Sequence, residues 1–254
     1  MKRYLTISYG AVSYVMFLVA FTYAIGFVGN MVVPRSVDHG ITAPIGWAVV
    51  VNVLLLAVFA VQHSLMARPA FKRWWTRFVP QSIERSTYVL LASAALLGLY
   101  WQWRTIPAVV WDLRQPAARI AVWALFWLGW AMVLAATFMI NHFDLFGLRQ
   151  VYLAWRGMPY TELGFRTHLL YRLVRHPLML GFMVAFWAAP TMTAGHLLFA
   201  IGTTGYILIA LQMEERNLAA TMGNQYRDYR RQVPMLLPLK LASRRHNTET
   251  VGQH

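Results

Sequence analysis

Cysteine is absent from the 254 residues. That excludes a disulfide framework, a thiolate metal site and a catalytic thiol supplied by the chain itself. Any nucleophile must come from a substrate or from another side chain. Acidic residues are also scarce, nine against 23 Lys and Arg, and charged residues of both signs make up only 13%, where a soluble domain carries roughly 25%. No internal repeat and no low-complexity linker divides the chain. It reads as a single domain over residues 1–240, followed by a polar, disordered tail at 241–254.

What is present is apolar. Hydrophobic side chains account for 58% of the residues, and the formal net charge is +14. A basic nucleic-acid domain is not this apolar, so the cations are read as marking one face of a membrane protein, with the bilayer as partner and no nucleic acid. The apolar runs are 9–33, 41–66, 88–103, 120–142 and 178–213, and a spanning helix needs about 20 residues. The first run is too long for the h-region of a cleavable leader and is expected to stay in the protein. The third meets the length if its helix begins near Ile83. The last is too long for one crossing and contains Pro190 and Gly195, where a tight helical hairpin turns, its first arm starting around Thr167. The expected fold is an all-α polytopic bundle of six crossings, or five with the last pair partly re-entrant. With six, 19 of the 23 cations share one side and Arg35, Arg104, Arg114 and Arg119 the other. The positive-inside rule then puts both termini in the cytoplasm of a bacterial-type inner membrane. Trp101, Trp103 and Trp111 near the outer boundary, and Trp74 and Trp75 near the inner one, read as an aromatic belt.

Polar groups at the ends of spanning helices are costly and mark candidate sites. Gln62 and His63 end the second crossing, and Asn141, His142 and Asp144 end the fourth. Arg175 and His176 open the fifth, and Glu214 and Glu215 close the sixth, all on the cytoplasmic side. A hairpin brings Arg175-His176-Pro177 beside Glu214-Glu215, either as an ion pair fastening the hairpin or as a ligand site. Pro177 interrupts the helix there. His39, His168, His196 and His246 are assigned to loops, interface or tail, and no His-x-x-x-His spacing points to a metal.

Arg175-His176-Pro177 through Gly181, then Glu214, Glu215, Leu218, Gly223, Tyr226, Tyr229, Val233 and Pro234, resembles the C-terminal half of the isoprenylcysteine carboxyl methyltransferase and phospholipid methyltransferase superfamily. The match covers about a quarter of the chain. Met179 and Met222 stand where that superfamily has Tyr and Phe, so a contact from its tyrosine is not carried over. Gln62-His63-Ser-Leu-Met-Ala-Arg68 and the segment from Asn141 to Gln150 are similar to the subgroup of methanethiol S-methyltransferases and to membrane proteins of denitrification loci. The resemblance implies S-adenosylmethionine as methyl donor and a small thiol as acceptor, with no obligate protein partner. It places the donor between Arg175, His176, Pro177 and Gly181 on one wall and Glu214, Glu215, Asn217, Tyr226 and Tyr229 on the other. Tyr226 and Tyr229 either pack on adenine or seal their helix against the bundle.

Removing a thiol proton calls for a base near neutral pH. His142 is the first candidate, with Asp144 on the same segment to orient it, and His63 is the second. Gln62, Asn141, Phe143 and Tyr152 are the candidate acceptor contacts, and residues 145–155 form an interfacial helix that lids the site. The competing readings are a lipid-modifying methyltransferase and a non-enzymatic membrane protein that binds haem or assists assembly.

Overall fold

The structure of the protein is a computed structural model that describes residues 2–161 and 169–237. The expected helix start at Thr167, His168, His246 and the tail at 241–254 lie outside the described residues. In chain order the elements are α1 (Lys2–Gly29), β1 (Ile41–Thr42), α2 (Ile45–Ala67), α3 (Pro69–Trp75), a 3-10 turn (Gln81–Ile83), α4 (Glu84–Gln102), β2 (Arg104–Thr105), β3 (Val109–Asp112) and α5 (Pro116–Ile140). There follow α6 (His142–Leu145), α7 (Leu148–Arg156), α8 (Leu170–Leu173), α9 (Pro177–Trp187), β4 (Thr191–Thr193), α10 (Ala194–Met222) and α11 (Asn224–Gln232). The protein is an all-α membrane protein with two minor β pairings.

Four helices, α1, α2, α5 and α10, are long and apolar enough to cross a membrane. Their outward faces carry large exposed apolar side chains such as Val15, Leu54, Val58, Leu128 and Ile209, as lipid contact requires. Helix α4 begins where the sequence places it, one residue after Ile83, and packs between α1 and α2. The arm before the hairpin is shorter than expected. Helix α9 has 11 residues, about 16 Å of rise, roughly half of the ~30 Å hydrocarbon core. Its start is fixed by Pro177 at the first helical position, preceded by His176 at φ −128°, ψ 64°, a conformation that cannot continue a helix backwards.

The densest packing lies at the end of the bundle where α1, α4 and α9 finish and α10 begins. Phe27, Leu99, Tyr100, Trp103, Phe126, Trp130, Phe186 and Phe199 form one buried cluster. Trp103 is 1% exposed at its centre, with edge-to-face contacts to Phe27 and Phe199. It is therefore a core residue and not part of an aromatic belt. Trp101 does sit at the surface, with the Arg35 guanidinium 3.9 Å above its ring. Over this end lie the parallel pair β1–β2 and the antiparallel pair β3–β4. Asn52, fully buried in α2, holds the N–H and C=O of Arg104 at 2.8 Å each. His196, expected in a loop or interface, is 1% exposed in the first turn of α10, its Nε2 2.9 Å from the Phe186 carbonyl.

Without aqueous hydrophobic drive, helices in lipid associate through close packing of small residues. Helices α5 and α9 meet through Gly129 and Gly181, where an added Cβ would come within 2.7 Å of the Ala185 nitrogen or 2.8 Å of the Gly129 oxygen. Gly129→Ala and Gly181→Ala are each expected to cost about 1–3 kcal/mol, read as a lower melting temperature in detergent. Gly98→Ala, in open space, is expected to leave it unchanged or raise it slightly.

Candidate functional site

At the end opposite the aromatic core, the polar residues of different helices meet in pairs. Tyr14 of α1 reaches His142, Tyr9 bonds Thr87 at the start of α4, Tyr88 reaches His63 of α2, and Ser64 bonds Tyr206 of α10. Farther along α10, Glu215 meets Arg175 and His176. These contacts join His142 to α1, His63 to α4, Ser64 to α10 and Glu215 to the segment before α9.

The most heavily bonded group is Glu215. Its carboxylate, 9% exposed, accepts from Arg175 Nε at 2.7 Å and lies 2.5 Å from Nη2. His176 Nε2 is 3.1 Å away and Arg230 Nε 3.8 Å. Arg175 Nη1 donates to the carbonyls of Arg230 (3.0 Å) and Val233 (2.6 Å). Because His176 is not helical, the N–H groups of Arg175 and His176 are free to bond the carbonyls of Pro234 (2.9 Å) and Met235 (3.2 Å). Four of the five N–H directions of Arg175 thus end on protein acceptors. Of the two readings of this residue, the ion pair fastening the hairpin is the one the geometry displays.

Glu214, one position earlier, has a half-exposed side chain, and His176 Nδ1 lies 4.0 Å from it. Asn217 is exposed one turn further along the helix, on the same face. Tyr226 is 1% exposed and packs edge-on to Tyr229, with centroids 6.0 Å apart. Tyr229 donates to the Tyr171 carbonyl at 2.6 Å, so the pair seals α11 against the bundle. Burial, together with the Glu215 charge, pushes the Tyr226 hydroxyl up to about 12. Burial takes Tyr229 to about 12 as well, so both remain neutral donors.

His142 sits in α6, a single turn after α5, and is 5% exposed. Its ring stacks on Phe138 at 4.3 Å and meets Phe17, Phe143, Phe146 and Tyr14 at steeper angles. Nδ1 lies 2.9 Å from Thr137 Oγ1 and Nε2 lies 2.7 Å from the Tyr14 hydroxyl. Burial holds its pKa below the ordinary histidine value. Asp144 does not orient this ring. Its carboxylate is bound by Arg149 (3.2 Å) and Tyr160 (3.1 Å), because α6 is one turn long and positions two apart point away from each other. Asn141 caps α6, its Oδ1 accepting from the Asp144 N–H at 3.0 Å. Gly147, at φ 83°, bends the chain from α6 into α7 against Ser86, a bend that a Cβ would block.

His63, the second candidate base, is within 2.9 Å of the Tyr88 hydroxyl and packs on Phe59. Gln62 donates to Met66 Sδ at 3.1 Å, while its Oε1 is buried with no partner among the described residues. Phe143 is half-exposed at the edge of His142. Tyr152 is also half-exposed, on α7 beside Trp155. Pro177 starts α9. Gly181 is removed from the proposed donor wall, since the α5 backbone occupies the space that a ligand would need. Sequence reasoning missed Tyr14, Thr137, Tyr88 and Tyr206. Each is a hydroxyl inside an apolar run, which is the available signal, but tyrosine there reads equally as an interfacial anchor.

Comparison with known proteins identifies relatives along nearly the whole chain. A protein named methanethiol S-methyltransferase from Mycobacterium tuberculosis is 79% identical over 238 residues, covering 94% of this chain and 98% of the relative. Methanethiol S-methyltransferase 2 of Bradyrhizobium diazoefficiens is 59% identical, covering 93% and 91%. Nurim of Mus musculus is 30% identical over 71% of this chain and 70% of its own length. No solved structure matches. The family model described as NnrU protein matches residues 51–233, a span that includes His63, His142, the Arg175–Glu215 pair and α11, and the chain belongs to that family.

Proposed function

We propose that this protein transfers a methyl group from S-adenosylmethionine to a small thiol, methanethiol yielding dimethyl sulfide, at the cytoplasmic face of a bacterial inner membrane. The observation that carries the reading is the half-exposed Glu214 carboxylate beside the fastened Arg175–His176–Glu215 group, on an apolar bundle that also holds the His142–Tyr14 pair. It is supported by relatives named methanethiol S-methyltransferase at 47–79% identity over most of the chain. Helices α4 and α9 join the four long helices to make six crossings, α9 being the short one. With 19 of 23 cations on the polar side, both termini are cytoplasmic.

The acceptor-rich groups fit such a donor. The half-exposed Glu214 carboxylate, the exposed Asn217 amide and the unpartnered Gln62 Oε1 suit a ribose diol and an ammonium. Arg175, already engaged, holds the wall and does not bind the donor's carboxylate. When bound, S-adenosylmethionine supplies a methyl group on a sulfonium that leaves as a neutral thioether. The chain's own tasks are to exclude water, align the acceptor and accept the thiol proton. His142 is the base in this reading, and His63 with Tyr88 forms the second polar pair.

Four outcomes are expected. Protein in detergent with labelled S-adenosylmethionine and methanethiol releases labelled dimethyl sulfide into the headspace; activity only on an isoprenylcysteine or an aminophospholipid would redirect the reading to lipid modification. Glu215→Ala costs about 3–5 kcal/mol of stability by leaving Arg175 buried and unpaired, seen as a lower melting temperature. Glu214→Gln leaves the melting temperature nearly unchanged and weakens donor binding, seen by calorimetry. Finally, the rate has an acid limb below about pH 6.5, because burial depresses His142 and a base works only when unprotonated. Tyr14 faces it from α1, and on its own segment Asp144 is held by Arg149 and Tyr160. His142→Ala is expected to abolish that limb and slow turnover, and full activity of this variant from pH 6 to 9 would reject the assignment.

A further inference from the structure

With the Thr137 proton on the Leu134 carbonyl, the contacts around His142 select one tautomer. A threonine hydroxyl has one proton, and Thr137 donates it to the Leu134 carbonyl at 2.7 Å. Toward His142 Nδ1, 2.9 Å away, Thr137 Oγ1 can therefore only accept, so Nδ1 carries a hydrogen. In the neutral imidazole this leaves one lone pair, on Nε2, and the hydroxyl 2.7 Å from it is that of Tyr14. That hydroxyl must be the donor. Both ring nitrogens are thus occupied, and the ring, 5% exposed among Phe17, Phe138, Phe143 and Phe146, has no free nitrogen to present to a substrate.

From this we infer that Tyr14 is a catalytic residue which passes the thiol proton to His142, and that Thr137 is the positioning residue that holds His142 in the receptive tautomer. The inference rests on His142 being the base. In the step, the S–H bond breaks as its proton goes to the phenolic oxygen, while the phenolic O–H proton goes to Nε2. Tyr14 ends neutral and His142 becomes imidazolium with Thr137 still accepting from Nδ1. The sulfur keeps the electron pair of the S–H bond, with which it would take the methyl group as the donor's methyl–sulfonium bond breaks and that bond's pair leaves on the neutral thioether. The imidazolium later returns its extra proton to cytoplasmic water. Tyr14 is half-buried where the histidine ring is buried, so of the two groups the tyrosine is the one nearer to being reached by a small acceptor. A phenol does not have to ionise for this, since proton gain and loss at its oxygen are concerted. A hydroxyl on a rigid helix is also a smaller moving part than an imidazole in an aromatic box.

The test uses the full chain in lipid nanodiscs with two acceptors of nearly equal size, methanethiol and methaneselenol, the second already ionised at neutral pH. Tyr14→Phe is expected to slow methanethiol methylation about 100-fold and to leave methaneselenol methylation within about threefold of the unchanged protein. Equal losses with both acceptors would overturn the relay, because a packing defect does not distinguish an ionised acceptor from a neutral one. Thr137→Ser, which keeps the acceptor oxygen, is expected to retain activity, and Thr137→Val to lose about tenfold with methanethiol. Nitrogen-15 spectra of histidine-labelled protein, without donor or acceptor, read the tautomer independently of activity. His142 is expected as the Nδ1–H form in the unchanged protein and in Thr137→Ser, and as the Nε2–H form in Thr137→Val. An Nε2–H resonance in the unchanged protein would overturn the proposal. Full methanethiol activity in His142→Ala would show that the base lies elsewhere, and turnover of neither acceptor by the unchanged protein would reject the methyltransferase reading itself.

Discussion

Glu215 organises the polar end of this protein. A carboxylate that is 9% exposed is tolerable only if cations and donors surround it. Here Arg175 comes from the segment before α9, His176 from the break itself and Arg230 from α11. Two pieces of chain, residues 175–176 and α11, are drawn to one point on α10. Arg175 extends the connection by holding the carbonyls of Arg230 and Val233, and its own backbone pairs with Pro234. The non-helical geometry at His176 is what frees those backbone groups, so the Pro177 break and the ion pair depend on each other. With this assembly in place the Glu214 side chain is left half-exposed beside His176.

The two ends of the bundle are built by different physics. Where α1 and α4 finish, aromatic rings interlock edge-to-face and short β pairings close over them. At the polar end, the side chains that meet between helices (Tyr14, Phe17, Phe59, His63, Tyr88, Tyr206) are only half-buried, and hydroxyl–imidazole and hydroxyl–hydroxyl contacts join the helices. A sealed end and a loosely filled polar end suit a reaction in which a small acceptor enters from one side and water is kept from the other. The Gly129–Gly181 crossing sets this shape as well. It lets α9 lie against α5 along its short length and fixes the distance between the turn carrying His142 and the start of α9.

Much of this was legible in the sequence. Residence in a membrane follows from composition, because a chain with 58% hydrophobic residues and so few charges has no other solvent for its surface. The approach of Arg175 to Glu215 follows from hairpin length. Even the start of α4 and the break at Pro177 could be placed, since each depends on local backbone preference alone. The apolar runs did not reveal that α9 is only 11 residues long, nor that Trp103 and His196 are core residues, because hydropathy does not say which face of a helix meets protein and which meets lipid.

The candidate site divides along the same line. The sequence by itself determined which helix ends carry polar side chains and that histidines are among them, since residue type and one-dimensional spacing decide those matters. Tertiary structure alone decided partners. It gave His142 to Thr137 and Tyr14 in place of Asp144, turned Asn141 into a cap, put Gly181 into a helix crossing and made Arg175 a fastener. The reason is that a hydrogen bond depends on direction and on a distance of about 3 Å, which are set by rotation of each helix about its axis. Contacts between residues as distant in the chain as Tyr14 and His142 fix that rotation, and no local pattern records it.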